Sequence, residues 1–315
     1  MKYFLITISF LIHTSIALAS TYNLEIKKQD VFITGKAVEA ITINGQIPGP
    51  TLNFTEGEDV EINVKNSMDE PTSLHWHGIL LPAKMDGVPG LNGFEGIKPN
   101  QTFTYKFKIR QAGTYWYHSH SNAQEQRGLY GSIVITANKL DPKPAQRDYV
   151  IILSDFTEEN PNTILNNLKL DSGYYNQHKR TVATFFSDAK KDGFFVALKD
   201  YMNWSQMRMD PTDLADVGKY HFLINGKSND SPPSPHNYFL FKKGEKIKLR
   251  FINASAMTIF DVSIPGFTPP RENEFLRSEA QQNDESSYLK MKFVEADGQP
   301  IKGTSKNSFF LYQFS

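Results

Sequence analysis

The chain has 315 residues with 34 basic and 34 acidic side chains, so its formal net charge is zero. Nothing in this balance marks a nucleic-acid-binding surface or a polybasic membrane surface. It contains no cysteine, which excludes disulfides and thiolate metal ligands, and its length suits about two domains, each able to bury its own core.

The first 19 residues, MKYFLITISFLIHTSIALA, are predicted to be a cleavable secretory signal. Lys2 supplies a positive start, an apolar run follows, and Ala17-Leu18-Ala19 gives a small-residue cleavage site. A membrane anchor is the alternative, but the apolar run is short for a span and is interrupted by His13 and Thr14. Because the chain lacks cysteine, a bacterial periplasm is the expected destination, with no membrane attachment after cleavage.

Short alternating or apolar runs rich in Val, Ile, Tyr, Phe and Thr dominate the rest of the chain. They predict an all-β fold of antiparallel sandwiches or barrels. Only residues 161–214 differ, and short helices mixed with loop are expected there. KLDPKPAQR, residues 139–147, has the proline and charge of a linker. It separates a first domain, residues 21–138, from a second, residues 148–300, and residues 301–315 form a divergent tail.

The two predicted domains share an internal repeat. Residues 43–68 and 224–257 both run from Ile-Asn-Gly through a proline-bearing loop and an apolar strand to a Gly-Glu turn. In both copies an alternating strand then ends in Asn, nine residues after the glycine of the turn. A duplicated sandwich module is the economical interpretation, and convergent strand-turn-strand punctuation is the alternative.

Two His-x-His pairs stand out in the first domain: SLHWHGI carries His75 and His77, and GTYWYHSHS carries His118 and His120. Because side chains alternate along a strand, both histidines of a pair face the same way. Two such strands packed together would converge four imidazoles, whose nitrogens suit copper, zinc, iron or nickel. Half-buried strands with histidines bonded to backbone are the alternative. The second copy has Asp-Val-Ser at 261–263 near the matching positions, so only the first domain is expected to carry chemistry.

HWHGILLPAKMDGVPG, followed by GTYWYHSHSNAQEQRGLYGSIVI, resembles the first cupredoxin domain of a multicopper oxidase, especially of the bacterial periplasmic copper-resistance oxidases. MDPTDLADVGKYHFLING and LRFINASAMTIFDVSIPG, ending in VEADGQ, resemble the second domain of the same subfamily. The resemblance covers about residues 21–299 and implies two cupredoxin-like Greek-key β-sandwich domains in tandem.

The resemblance also implies a copper site. In the family, four His-x-His motifs hold three copper ions where the first and third domains meet. By resemblance, His75 would ligate the type 2 copper, His77 and His118 would share one type 3 copper, and His120 would bind the other. Asp86, in MDGVPG, matches an acid that supports the type 2 side and assists proton delivery to reduced oxygen. A solvated turn aspartate is the alternative interpretation of Asp86.

The other half of the family's metal site has no counterpart in this sequence. The family takes electrons from substrate at a type 1 copper bound by one Cys and two His, but the chain has no cysteine and no third or fourth His-x-His motif. The family reaction couples oxidation of a phenol-type substrate or cuprous ion to four-electron reduction of dioxygen to water. We therefore expect the isolated chain to be inactive.

Several interpretations stay open at this point. The chain is the copper-binding portion of a copper-resistance oxidase whose third domain is missing, or a non-catalytic periplasmic copper-binding protein with the four histidines as a smaller site. Met202, Met207 and Met209 could add soft Cu(I) ligands, although packing is their plainer role. A zinc enzyme is a third interpretation, and a partner chain could donate the missing histidines. Trp76 and Trp116 are expected on the strand faces opposite the histidines, as core packing.

Overall fold

The computed structural model describes residues 20–139, 144–171, 173–175, 181–205, 220–228, 239–242, 244–256, 258–260, 262, 295–296 and 299–300. The predicted signal and tail, residues 140–143 of the linker, and Met207, Met209, Asp261 and Ser263 lie outside these residues. Among the described helices, none has the length and apolar character needed to cross a membrane.

Strands dominate the described part of the chain, which confirms the all-β prediction. The first domain contains β1 (Ser20–Phe32), β2 (Ala37–Ile43), β3 (Gly49–Thr55), β4 (Asp59–Asn66), β5 (His75–His77), β6 (Thr102–Lys108), β7 (Gly113–His118) and β8 (Tyr130–Thr136), with a 3-10 turn at Ala83–Met85. One three-stranded sheet, ordered β10-β9-β11, belongs to the predicted second domain and consists of β9 (Arg147–Phe156), β10 (His221–Ile224) and β11 (Ile247–Asn253). β12 (Glu295–Ala296) and β13 (Gln299–Pro300) form a separate two-stranded sheet. Three helices, α1 (Pro161–Leu170), α2 (Val182–Asp192) and α3 (Phe194–Ser205), lie where helices mixed with loop were expected.

The first domain is a sandwich of two four-stranded sheets, ordered β2-β1-β4-β6 and β3-β8-β7-β5. Alternate residues of each strand face the interior, as in β4, where Val60, Ile62 and Val64 are buried. Burial of each such side chain stabilises the fold by about 1.5–3 kcal/mol. The aromatic rings of Trp76 and Tyr105 meet edge to face within this core, 5.0 Å apart, directly beneath the strand that carries the first histidine pair.

The sheets contain parallel as well as antiparallel pairs, so the prediction of antiparallel sheets is wrong for three of the strand pairs. β1 pairs in parallel with β4, β3 with β8, and β9 with β11. The chain changes sheets between β2 and β4, with β3 placed in the opposite layer, and it therefore returns beside β1 in the same direction. Strand alternation reports which face is buried and carries no information on the direction of the neighbouring strand.

Equivalent hydrogen bonds in the two domains support the internal repeat. Asn44, in the turn after β2, donates its backbone N–H to the Glu25 carbonyl (2.9 Å) and accepts the Glu25 N–H on its side-chain oxygen (2.7 Å). Asn225, in the turn after β10, makes the same two bonds with Ile152, at 2.8 and 2.7 Å. Both asparagines have positive φ, 53° and 49°, a backbone region that asparagine tolerates better than most residues.

The second domain packs against β7 and β8 of the first. Arg250 on β11 holds both carboxylate oxygens of Asp148 (2.6 and 2.7 Å) and donates a third bond to Thr114 on β7 (2.7 Å). Tyr130 on β8 and Ser154 on β9 share a buried 2.7 Å hydrogen bond between their hydroxyls. We call the apolar contact between these strands the interdomain cluster; its buried members are Trp116, Tyr130, Ile152, Ile252 and Ala254.

Candidate metal centre

β5 and β7 place three of the predicted histidines on one face of the second sheet. The strands pair antiparallel, with His75 opposite His118 and His77 opposite Trp116. Trp76 points the other way and is 1% exposed in the core, as alternation requires. His120 lies two residues beyond the end of β7, in an exposed loop position. Its backbone N–H donates to the Ser73 hydroxyl at 3.0 Å, which anchors the loop beside β5.

All four imidazoles converge. The His77 Nδ1 atom lies 3.2 Å from the His118 Nε2 atom. The ring of His75 lies 5.6 Å from those of His77 and His118 and 5.0 Å from that of His120. Possible ligand atoms of His75, His118 and His120 all lie within 4.8 Å of one another. The structure therefore brings together the four residues that the sequence singled out.

The donor set fits a transition metal bound through imidazole. Metal–imidazole bonds are about 2.0–2.1 Å long, so two nitrogens 3.2 Å apart subtend roughly 100° at a shared ion, close to the tetrahedral angle. Without an ion, one of the two nitrogens must carry a proton and donate it in a hydrogen bond to the other. Nitrogen ligands of this type suit copper and zinc alike, so the geometry alone does not choose between the two metals.

The surroundings favour the neutral imidazoles that a metal requires. Burial lowers the pKa of His77 to about 4, and the adjacent His118 acts in the same direction. Burial also lowers the pKa values of His75 and His120. Neutral histidines keep a lone pair free for a metal at pH 7, and no proton has to be displaced from a charged ring.

Asp86, the predicted acid, lies directly against His75. Its backbone carbonyl accepts the His75 Nδ1–H at 2.8 Å, and its carboxylate oxygen is 3.6 Å from the same nitrogen. Gly87 permits this approach: its φ is +79°, and a Cβ there would lie 1.8 Å from the Leu74 carbonyl oxygen. Because Nδ1 donates to the carbonyl, Nε2 is the atom of His75 that can bind a metal.

The placement expected for Trp116 is wrong. Trp116 precedes His118 by two residues, so both side chains leave β7 on the same face. The indole stacks on the His118 ring with 4.0 Å between centroids and 12° between planes, and it lies 5.2 Å from the ring of His77. It is also a member of the interdomain cluster. Trp116 therefore joins the candidate metal centre to the contact between the domains.

Sequence reasoning missed one residue at the site. Glu125 places a carboxylate oxygen 2.5 Å from the Nδ1 atom of His118. Glu125 lies in the turn that follows the second histidine pair, where the strand period no longer relates sequence spacing to direction. The one signal in the sequence was that Glu125, in QEQRG, is an acidic residue only seven positions after His118.

The other candidates lie elsewhere or outside the described residues. His221, on β10, is 3.9 Å from the Glu158 carboxylate in the second domain. Met202, on α3, is 56% exposed. His178 and His236 lie outside the described residues, so their isolation from the site remains a prediction.

Comparisons with known proteins show what the chain is similar to. The multicopper oxidase family model matches residues 25–140. Copper resistance protein A of Escherichia coli is 46% identical over 290 residues, which are 91% of this chain and 44% of that protein. A Copper resistance protein A homolog of Pseudomonas syringae pv. tomato is 51% identical over 283 residues, 89% of this chain and 44% of that protein. The chain thus spans less than half the length of these relatives.

A solved structure shares the fold. The blue copper oxidase of Nitrosomonas europaea matches with a TM-score of 0.52 and 28% identity, over 76% of this chain and 62% of that one. This likeness agrees with the predicted cupredoxin-like architecture. The sequence matches, the shared fold and the histidine cluster lead to one conclusion: the chain belongs to the multicopper oxidase family.

Proposed function

We propose that this chain supplies the His75, His77, His118 and His120 half of the copper cluster of a periplasmic copper-resistance multicopper oxidase. The single observation that carries the proposal is the convergence of four imidazoles, with the His77 and His118 nitrogens 3.2 Å apart. The chemistry that copper supplies in this family is four-electron reduction of dioxygen to water, with electrons from a phenol-type substrate or cuprous ion. The remaining ligands would come from a third domain or from a partner chain.

The chain's own residues hold and orient the ligands. The Asp86 carbonyl fixes the ring of His75 through Nδ1, which turns Nε2 toward the other imidazoles. Trp116 covers one face of His118, and Trp76 fills the core side of β5, so water is excluded from behind the cluster. The ligand set is thereby preorganised before any metal binds.

Asp86 is suited to moving protons at the edge of the site. Its side chain is 31% exposed and its carboxylate lies 3.6 Å from His75, so it contacts both the cluster and solvent. A carboxylate at such a boundary can hold a proton and exchange it with water. We assign Asp86 this role toward reduced oxygen, which consumes protons as water forms.

A non-catalytic copper-binding protein is the second candidate. The observation that favours it is that possible ligand atoms of His75, His118 and His120 lie within 4.8 Å of one another, and three such ligands can hold one ion without help from another domain. The two candidates use the same four histidines and differ in the number of copper ions held. A lone half-site should hold about one copper ion, whereas a completed cluster holds three.

Copper titration of the chain from Ser20 onward tests the proposal. We expect the wild type to bind Cu²⁺ and His77→Ala to weaken binding by roughly 10-fold or more, because it removes one of the two nearest nitrogens. His221→Ala, a histidine in the second domain, is the matched control and should bind as the wild type does. Equal affinity of the two variants would show that the cluster is not the copper site.

Mixing the same chain with candidate partner proteins tests the two functional classes. A rise to three copper ions per chain in a complex, measured by elemental analysis, supports the oxidase. A constant ratio of about one ion with every partner favours the copper-binding protein.

A further inference from the structure

The two ring nitrogens of His118 have separate surroundings. Nε2 faces the Nδ1 atom of His77 at 3.2 Å, inside the cluster. Nδ1 faces outward, 2.5 Å from a Glu125 carboxylate oxygen and 3.1 Å from the Ser119 carbonyl. The Ser119 carbonyl and an ionised Glu125 carboxylate accept hydrogen bonds but cannot donate them. A neutral His118 beside these two groups must therefore carry its proton on Nδ1. The lone pair then lies on Nε2, which points at the other imidazoles.

Glu125 is held in place by the residues on either side of it. Gln124 is 1% exposed; its amide donates to the Pro71 carbonyl (2.9 Å), and its oxygen accepts from the Thr72 hydroxyl (2.7 Å). These bonds tie the turn to the segment that leads into β5. The Glu125 carbonyl also accepts the Gly128 N–H at 2.9 Å, which closes the turn.

The neighbour on the other side reaches the second domain. The Gln126 amide donates to both the backbone carbonyl and the carboxylate of Asp155, at 3.0 and 2.9 Å. Asp155, at the end of β9, is 3% exposed and also accepts from the Thr258 hydroxyl at 2.7 Å. Glu125 therefore lies between one anchor in each domain, and its position depends on how the domains pack.

We propose that Glu125 is a positioning residue that fixes His118 with Nδ1 protonated and Nε2 as the ligand atom. The Gln126–Asp155 bonds make the second domain part of this support. The consequence for metal affinity rests on the proposed copper site, whereas the tautomer of His118 does not. Carboxylates that orient a metal-binding histidine in this way change metal affinity by about 10–100-fold when removed.

The test begins with the metal-free chain from Ser20 onward. Long-range ¹H–¹⁵N correlation of labelled histidine rings reports which nitrogen carries the proton, and His118→Gln identifies the His118 signals by their loss. We expect Nδ1 protonation in the wild type and a mixture of tautomers in Glu125→Ala. A wild-type His118 protonated on Nε2 would overturn the proposal, whether or not the protein binds copper.

Copper affinity gives the second readout, measured by competition with a chelator. Glu125→Ala should bind Cu²⁺ about 10–100-fold more weakly than the wild type. Glu125→Gln keeps an acceptor oxygen at the same reach, so it should retain the tautomer and recover most of the affinity. Glu95→Ala removes an exposed acid from another loop and should leave affinity unchanged.

The two readouts separate failure of this inference from failure of the proposed function. Unchanged affinity in a folded Glu125→Ala, or no recovery in Glu125→Gln, would contradict the positioning role. A wild type that shows the expected tautomer but binds no copper would refute the copper site and leave the Glu125–His118 contact established.

Discussion

Replacing Gly87 with alanine should damage both the stability of the first domain and the metal centre. A non-glycine residue in left-handed backbone costs about 1–2 kcal/mol. In addition, the new Cβ would lie 1.8 Å from the Leu74 carbonyl oxygen, so the turn must retreat by more than 1 Å to reach an ordinary contact. That retreat separates the Asp86 carbonyl from His75, at a further cost of about 1 kcal/mol for the lost hydrogen bond.

Gly90→Ala is the matched control for this variant. Gly90 has nearly the same φ, +83°, and an added Cβ there would meet open space. Alanine at this position therefore has the same unfavourable backbone conformation but no clash with a neighbouring atom. We expect the free energy of unfolding to fall by about 2–4 kcal/mol in Gly87→Ala and by about 1–2 kcal/mol in Gly90→Ala. Only Gly87→Ala should bind Cu²⁺ more weakly than the wild type. Urea unfolding followed by tryptophan fluorescence measures the difference. Equal midpoints and equal copper affinities for the two variants would refute the argued role of Gly87.

Three further results are expected. The free energy of unfolding of the metal-free protein should fall by about 1–2 kcal/mol between pH 7 and pH 5. The reason is that His77 has a pKa of about 4 when folded and about 6.5 when unfolded, so the unfolded state takes up the proton first. Urea midpoints should fall less over this pH range in His77→Gln, and an equal fall in the two proteins would contradict the reasoning. Arg250→Lys should lower the free energy of unfolding by about 1–3 kcal/mol, since lysine cannot bond to Asp148 and Thr114 together. Arg147 is the control because its side chain is 37% exposed, against 8% for Arg250, and Arg147→Lys should change the unfolding temperature much less. The copper-loaded isolated chain should show no oxygen uptake with a phenol; a measurable rate would disprove the need for a cysteine-bound copper.

The shared face of the two histidines within each pair could be predicted from the sequence because it depends on local geometry, whereas the convergence of the two pairs also requires β5 to lie beside β7. The period of two along a strand places His75 beside His77 whatever the rest of the fold does. The internal repeat could also be recognised from the sequence, because both of its Asn-Gly turns need an asparagine with positive φ, at Asn44 and at Asn225. The same period also indicated the true face of Trp116, two residues before His118, and the error there was one of interpretation.

The features that escaped prediction depend on contacts between distant segments. Glu125 reaches His118 only because a turn folds back over the end of β7, and Gln126 meets the second domain only once the domains have packed. The parallel pairing of β1 with β4 depends on which sheet the intervening strand joins. Nothing within a short window of sequence encodes such choices.

The strand that carries the first histidine pair has only three residues and stands at the end of its sheet, next to β7. End strands of this length have few ladder hydrogen bonds and open locally more readily than central ones. A metal bound by histidines of both β5 and β7 would act as a cross-link between this short end strand and its neighbour. Copper loading should therefore slow amide hydrogen exchange most strongly at β5, and loss of copper would release this edge long before the domain unfolds.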